Sequence, residues 1–196
     1  MTTQEDFKQK GYIVIRNCIS ASEIDRLYQY TLDRVTKGNM DDGQVPGSPS
    51  FYLDPEVNQL QQTLRPMMEE HIGVKLLPVF CYNRVYRTGA VLRIHKDSHR
   101  AEISTTMNLG QQGEPWDLWL VDYNENAVAI TLHPGDALLY YGNRLHHWRG
   151  KLEHADLVSQ IMFHFVDANG KNTFASKMEW VRKLRKRGRQ LMGLAY

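Results

Sequence analysis

Apolar positions recur at helical spacing over the first third of the chain and then give way to short alternating runs. Ser20 and Glu23 have the spacing of a capping box, in which each side chain satisfies a free backbone donor at a helix start. Behind them Ile24, Leu27, Tyr28, Thr31 and Val35 fall on one face and predict a helix. A second helix is predicted from Asp54 as N-cap and Pro55 at the first helical position, where a missing N–H costs nothing. Its stripe is Val57, Leu60, Leu64, Met67 and Met68, and Gly73 supplies the stop. The run Gly11-Tyr-Ile-Val-Ile-Arg16 reads as a short strand ahead of both helices. Between the helices, residues 37–53 are rich in Gly, Pro, Asp and Ser, the texture of a long loop. Such loops are often lids, and this one is placed to cover the mouth of a site.

From Lys75 onward the period changes. LLPVFCYNRVY, AVLRIH, EISTTMNL, DLWLVDY, AVAITL, DALLYY and LVSQIMFHFV follow one another, separated by turn signals such as Thr88-Gly89 and Pro134-Gly135-Asp136. Short strands at even spacing predict an antiparallel sandwich or barrel. Helices first and a compact β unit afterwards predict one α+β domain spanning residues 1–196, with no internal repeat. At the far end KMEWVRKLRKRGRQ reads as a basic amphipathic helix. It would suit nucleic acid or another acidic partner, although a solvated helix face is the commoner meaning of such a run.

Composition narrows the picture only a little. The 196 residues are 42% hydrophobic and 23% charged, an ordinary globular balance, and a net charge of +2 does not imply nucleic acid or an anionic membrane surface as partner. Two cysteines, Cys18 and Cys81, both in apolar stretches, predict buried reduced thiols and not a disulfide framework. The polar opening lacks a signal-peptide core, and no apolar run reaches the roughly 18–20 residues of a membrane span. Cytoplasm is the expected compartment.

The chemistry centres on Ile94-His95-Lys96-Asp97. In a strand, residues i and i+2 face the same side, so His95 and Asp97 can both point into a barrel. One imidazole and one carboxylate are two thirds of a facial triad, a ligand set that suits Fe(II) because it leaves positions open for co-substrate and oxygen. Alone, a His-x-Asp is a weak signal. Further along, the segment Gly135 to Arg149 reads as a turn, a buried strand, a second turn, and then a histidine pair, His146-His147, entering the next strand. Several strands lie between, enough to bring the chain back beside the His-x-Asp.

This arrangement resembles the 2-oxoglutarate/Fe(II) oxygenases with a double-stranded β-helix (jelly-roll) core. Tyr86-Arg-Thr-Gly89 ahead of His95-Lys-Asp97 is similar to the Tyr-x-x-Gly and His-x-Asp of prolyl-hydroxylase-like members, and GYIVIRNCISASEIDRL resembles the opening of phytanoyl-CoA-dioxygenase-like members. The resemblance runs from about residue 6 to about residue 168. It implies the jelly-roll core, with N-terminal helices supporting it and a C-terminal helix after it. It implies Fe(II) held by His95, Asp97 and His147, with 2-oxoglutarate and O2 as co-substrates. His147 is preferred to His146 because similar sequences place the ligand immediately before a Trp-Arg. Tyr86 would hydrogen-bond the co-substrate carboxylate.

One departure stands out. Most members carry an Arg or Lys about ten residues beyond the distal histidine to pair with the far carboxylate of 2-oxoglutarate, and HADLVSQIMFHFV has neither. Arg149 and Arg93 are the replacements the sequence offers, Arg93 because it lies two residues before His95; Gln160 could add a neutral hydrogen bond. Because Asp97 fills the position that halogenating relatives leave open, the implied reaction is hydroxylation of a substrate, expected to be a small molecule. A peptidyl or nucleic-acid oxygenase docking through the basic C-terminus is the alternative within the same chemistry. A metal-binding β-barrel module without catalysis is the alternative outside it. The remaining histidines, His164 among them, read as surface or satisfied core residues.

Overall fold

A computed structural model describes residues 2–173. Three helices in the first part of the chain, interleaved with two strands, cover a sandwich of two antiparallel sheets. The chain runs α1 (Thr3–Lys10), β1 (Tyr12–Ile15), α2 (Ala21–Leu32), β2 (Ser50–Tyr52), α3 (Pro55–Ile72), β3 (Leu76–Arg87), β4 (Leu92–His95), β5 (Ile103–Gly113), β6 (Leu118–Val121), β7 (Ala127–Ile130), β8 (Ala137–Tyr140), β9 (His147–Arg149) and β10 (Ala155–Asp167). The larger sheet has the order β1-β8-β5-β10-β3-β2, and the smaller one β4-β9-β6-β7. The predicted C-terminal helix lies outside the described residues.

Local rules account for the helix ends. Asp54 Oδ1 accepts from the backbone N–H of Glu56 and Val57 at 3.0 and 3.2 Å, and Gly73 closes α3 at φ 68°, a left-handed conformation that glycine adopts without a Cβ clash. At α2 only half of the predicted capping box forms. Ser20 Oγ accepts from Glu23 N, but the Glu23 carboxylate is taken by the Arg26 guanidinium at 2.8 and 2.9 Å, a charged donor that competes better than a backbone N–H. Val35 falls outside α2, in a 3₁₀ turn at Val35–Lys37.

One helix was not anticipated. α1 carries a complete capping box between Thr2 and Glu5 and ends at Gly11. It is short and polar, and among its residues only Phe7 is buried.

Alternation along the larger sheet separates two environments. On β3, β5, β8 and β10 the positions Cys81, Ile103, Met107, Leu139, Ile161 and Phe163 pack under the helices with Phe7, Leu27, Leu60, Leu64 and Met68. Neighbours of opposite parity, such as Tyr86, Leu138, Tyr140 and Val158, join Leu92, Leu118 and Leu120 of the smaller sheet in a second core between the sheets. β10 slips by one residue against β3 between His164 and Phe165. Gln61, buried on α3, donates to the carbonyls of Phe80 and His164 at this bulge, 3.2 Å each. Cys18 and Cys81 are free thiols, and burial pushes Cys81 up to about 12. Among the described residues no helix is long and apolar enough to cross a membrane.

Candidate metal centre

The second core opens into a cavity of about 280 Å³ between the sheets. The larger sheet contributes Arg84 and Tyr86 from β3, Thr106 from β5, Tyr140 from β8 and His164 from β10; the smaller contributes His95, Leu118, His147 and Arg149.

At its centre three ligand atoms converge. His95 and His147 are register partners across β4 and β9, their ring centroids 4.2 Å apart. Asp97 Oδ1 lies 3.6 Å from His95 Nε2 and 3.7 Å from His147 Nε2. Asp97 is not part of β4, which ends at His95; it sits in the following turn, where its N–H donates to the Gly142 carbonyl at 2.9 Å. Among the described residues these three form the one group of His, Cys, Asp or Glu able to share a metal ion.

Supporting hydrogen bonds aim the ligand atoms. His95 Nδ1 contacts the Arg93 carbonyl at 2.8 Å and His147 Nδ1 the Leu145 carbonyl at 3.0 Å. A carbonyl oxygen only accepts, so each Nδ1 carries the proton and, in the neutral ring, each Nε2 presents its lone pair to the centre. Ser104 Oγ donates to Asp97 Oδ2 at 2.6 Å, leaving Oδ1 to face the histidines. The same hydroxyl lies 3.0 Å from His164 Nδ1. Gly142 makes room for the arrangement: a Cβ there would stand 2.3 Å from both Asp97 Oδ2 and Ser104 Oγ.

The electrostatics suit a cation. Burial pushes the Asp97 carboxyl up, but the His95 ring, the positive charges that His164 and His147 take on at acid pH and the Ser104 hydroxyl together hold it well below the usual carboxylate range. Burial lowers His147, favouring its neutral, ligating form. It pushes His164 down to about 4.

The other sequence candidates fall in different places. His147, the first residue of β9, is buried, whereas His146 just before it is exposed. Tyr86 is buried on the cavity wall, edge-on to Trp116 at 5.0 Å. Arg149 is buried there as well; its Nη1 donates to the Trp116 carbonyl, its guanidinium lies 5.0 Å from the Trp116 ring, and its Nη2 is buried with no partner. Burial lowers its pKa.

Arg93 does not share the inward face of His95. The β4–β9 register slips between Leu92 and His95, so Leu92 lines the cavity and Arg93 is exposed. Gln160 is buried, accepting from Thr106 Oγ1 at 3.2 Å, and Thr106 stands at the cavity wall in its place. Arg84, Asp42, Gln44, Ser104 and Tyr140 had not been singled out. For Arg84 the signal was available: it shares strand parity with Tyr86.

The sequence matches no protein-family model and no curated protein. Solved structures do match. A prolyl-4-hydroxylase from Pseudomonas putida superposes with a TM-score of 0.67 at 15% identity, over 83% of this chain and 96% of that one. The non-haem α-ketoglutarate-dependent epimerase SnoN of nogalamycin biosynthesis gives 0.73 at 11% identity, covering 85% and 82%. HygX from Streptomyces hygroscopicus, solved with nickel, 2-oxoglutarate and hygromycin B bound, gives 0.67 at 13% identity, covering 84% and 86%. This chain therefore has the fold of the 2-oxoglutarate/Fe(II) oxygenases.

Proposed function

We propose that this chain is an Fe(II)- and 2-oxoglutarate-dependent oxygenase, its two sheets a double-stranded β-helix core and its reaction the hydroxylation of a small molecule. One observation carries the reading. Three ligand atoms that fit a divalent ion share a cavity with a buried guanidinium whose Nη2 has no partner. A buried cation short of a partner calls for an anion, and 2-oxoglutarate brings a carboxylate to chelate the metal and a second to reach Arg149.

His95, His147 and Asp97 would hold the iron and leave positions open for co-substrate and O2. When bound, the metal and 2-oxoglutarate would supply the oxidising chemistry: the keto acid would lose CO2 and take up one atom of O2 to become succinate, and the other atom would be inserted into a substrate C–H bond. The protein supplies placement. The Arg93 and Leu145 carbonyls fix the histidine tautomers, and Ser104 steadies the carboxylate. Arg149 and the Tyr86 hydroxyl would hold the far carboxylate, and Leu92 and Leu118 add apolar lining to the same cavity. The exposed Arg93 side chain, and Gln160 behind Thr106, have no part in holding the co-substrate.

The small cavity supports a small substrate, since roughly 300–1,000 Å³ is usual for ligand pockets and the co-substrate shares this one. SnoN was crystallised with nogalamycin RO and HygX with hygromycin B, both small molecules. The basic C-terminal segment, the docking element of the alternative reading, lies outside the described residues.

Anaerobic titration with Fe(II) and then 2-oxoglutarate tests the proposal. A visible metal-to-ligand charge-transfer band, and slow iron-dependent succinate release in air, are expected. Folded protein that binds neither metal nor co-substrate overturns it.

A further inference from the structure

Gln44 reaches the centre from the loop between α2 and β2, outside both sheets. Its amide has two chemically different ends, and Arg84 decides which faces inward. Arg84 Nη1 donates to Gln44 Oε1 at 2.9 Å, so the NH₂ end turns toward His95, whose Nε2 lies 3.0 Å away. Because His95 Nδ1 is committed to the Arg93 carbonyl, Nε2 of the neutral ring, the form that binds metal, is the acceptor and Gln44 the donor.

Arg84 is itself fixed. Its side chain is only 4% exposed and is ion-paired to Asp42 of the same loop. Asp42, Arg84 and Gln44 thus form a chain from a loop carboxylate to a nitrogen that would ligate iron. One lone pair cannot serve an N–H and a metal ion together.

We propose that Gln44 is a switching donor of the metal centre, aimed by Arg84 and Asp42. Without metal it holds His95 Nε2. With metal bound, that nitrogen is occupied, and the amide N–H donates to a carboxylate oxygen of the co-substrate beside His95. The inference rests on the metal and co-substrate reading above. It predicts two effects of opposite sign, which a merely structural residue would not produce.

Gln44→Ala and Gln44→Met test it, Met keeping the chain length without polar atoms. Co(II) or Mn(II) affinity of the protein alone, and 2-oxoglutarate affinity of the metal-loaded protein, are measured by equilibrium titration. Both variants are expected to bind metal about 2- to 10-fold more tightly and 2-oxoglutarate weaker by a similar factor, the scale of one hydrogen bond. Affinities that move in the same direction, or that do not move, overturn the assignment of Gln44 and leave the proposed function standing. A parent chain that binds neither ligand overturns both.

Discussion

Ser104→Ala isolates the support behind Asp97, the carboxylate of the proposed metal centre. The Ser104 hydroxyl donates to Asp97 Oδ2 at 2.6 Å, while Oδ1 faces the two histidine nitrogens. Ser104 is fully buried and the Asp97 side chain is 14% exposed, so water has little room to replace the lost donor. A hydrogen bond to a charged partner contributes about 1.5–3 kcal/mol. At roughly 1.4 kcal/mol per tenfold, the metal Kd should weaken about 10- to 100-fold, the usual range for losing a group that orients a ligand. The substitution also removes the partner of His164 Nδ1, which should lower metal-free stability by about 1–2 kcal/mol. Competition titration with Co(II), read beside a thermal melt of the metal-free protein, separates the two effects. Folded Ser104→Ala with a metal Kd within about threefold of the parent, less than one ordinary hydrogen bond, would refute the reasoning.

Further outcomes follow from the same geometry. Arg149→Met should weaken 2-oxoglutarate binding about 10- to 100-fold, as loss of a charge-assisted contact, yet leave metal affinity and metal-free stability intact, because a buried and incompletely paired cation is replaced by an apolar chain of similar length. Isothermal titration and melting curves check both halves. Gly142→Ala should abolish saturable metal binding, since its Cβ would displace Asp97 or Ser104; equilibrium dialysis decides. His146→Ala should leave metal binding unchanged, whereas His147→Ala should remove it. Asp136→Asn should flatten the acid limb of stability. Burial pushes the Asp136 carboxyl up, but the Arg16 guanidinium and the backbone N–H groups of His133 and Asn17 outweigh it and hold the group below its usual range. Its contribution is therefore present above the unfolded value of about 3.9 and is lost as pH falls through the lower folded value; denaturant melts down to acid pH should show that loss in the parent alone.

The parts of this protein legible in its sequence are those written in local patterns. Asp54 with Pro55, Gly73, the alternation of the β runs and the His95-x-Asp97 pair are each contained in a few neighbouring residues. Strand alternation said only that His146 and His147 cannot both face the centre; the preference for His147 came from the resemblance, and His147 is the buried one of the two. What escaped depends on contacts between distant segments. Arg93 was expected beside His95 by the two-residue rule, and a slip in the β4–β9 pairing, invisible in either strand alone, turned it outward. Gln160 has the inward parity of its strand but stops behind Thr106. Asp42 and Gln44 belong to the loop expected to cover the mouth of a site, but nothing in its composition said which of its side chains would meet Arg84 and His95. The helix at the start was missed for another reason: a single buried phenylalanine gives no periodicity to read.

Because the strands of the larger sheet present helix-packing side chains at one parity and cavity side chains at the other, stability and selectivity are encoded in interleaved, separate alphabets. Residues such as Thr106 and Met162 can be exchanged to reshape what the cavity admits while their neighbours Met107 and Phe163 keep the scaffold intact. Reshaping the cavity is then a matter of rewriting every second letter, and a one-residue insertion in β5 or β10 would scramble both texts at once.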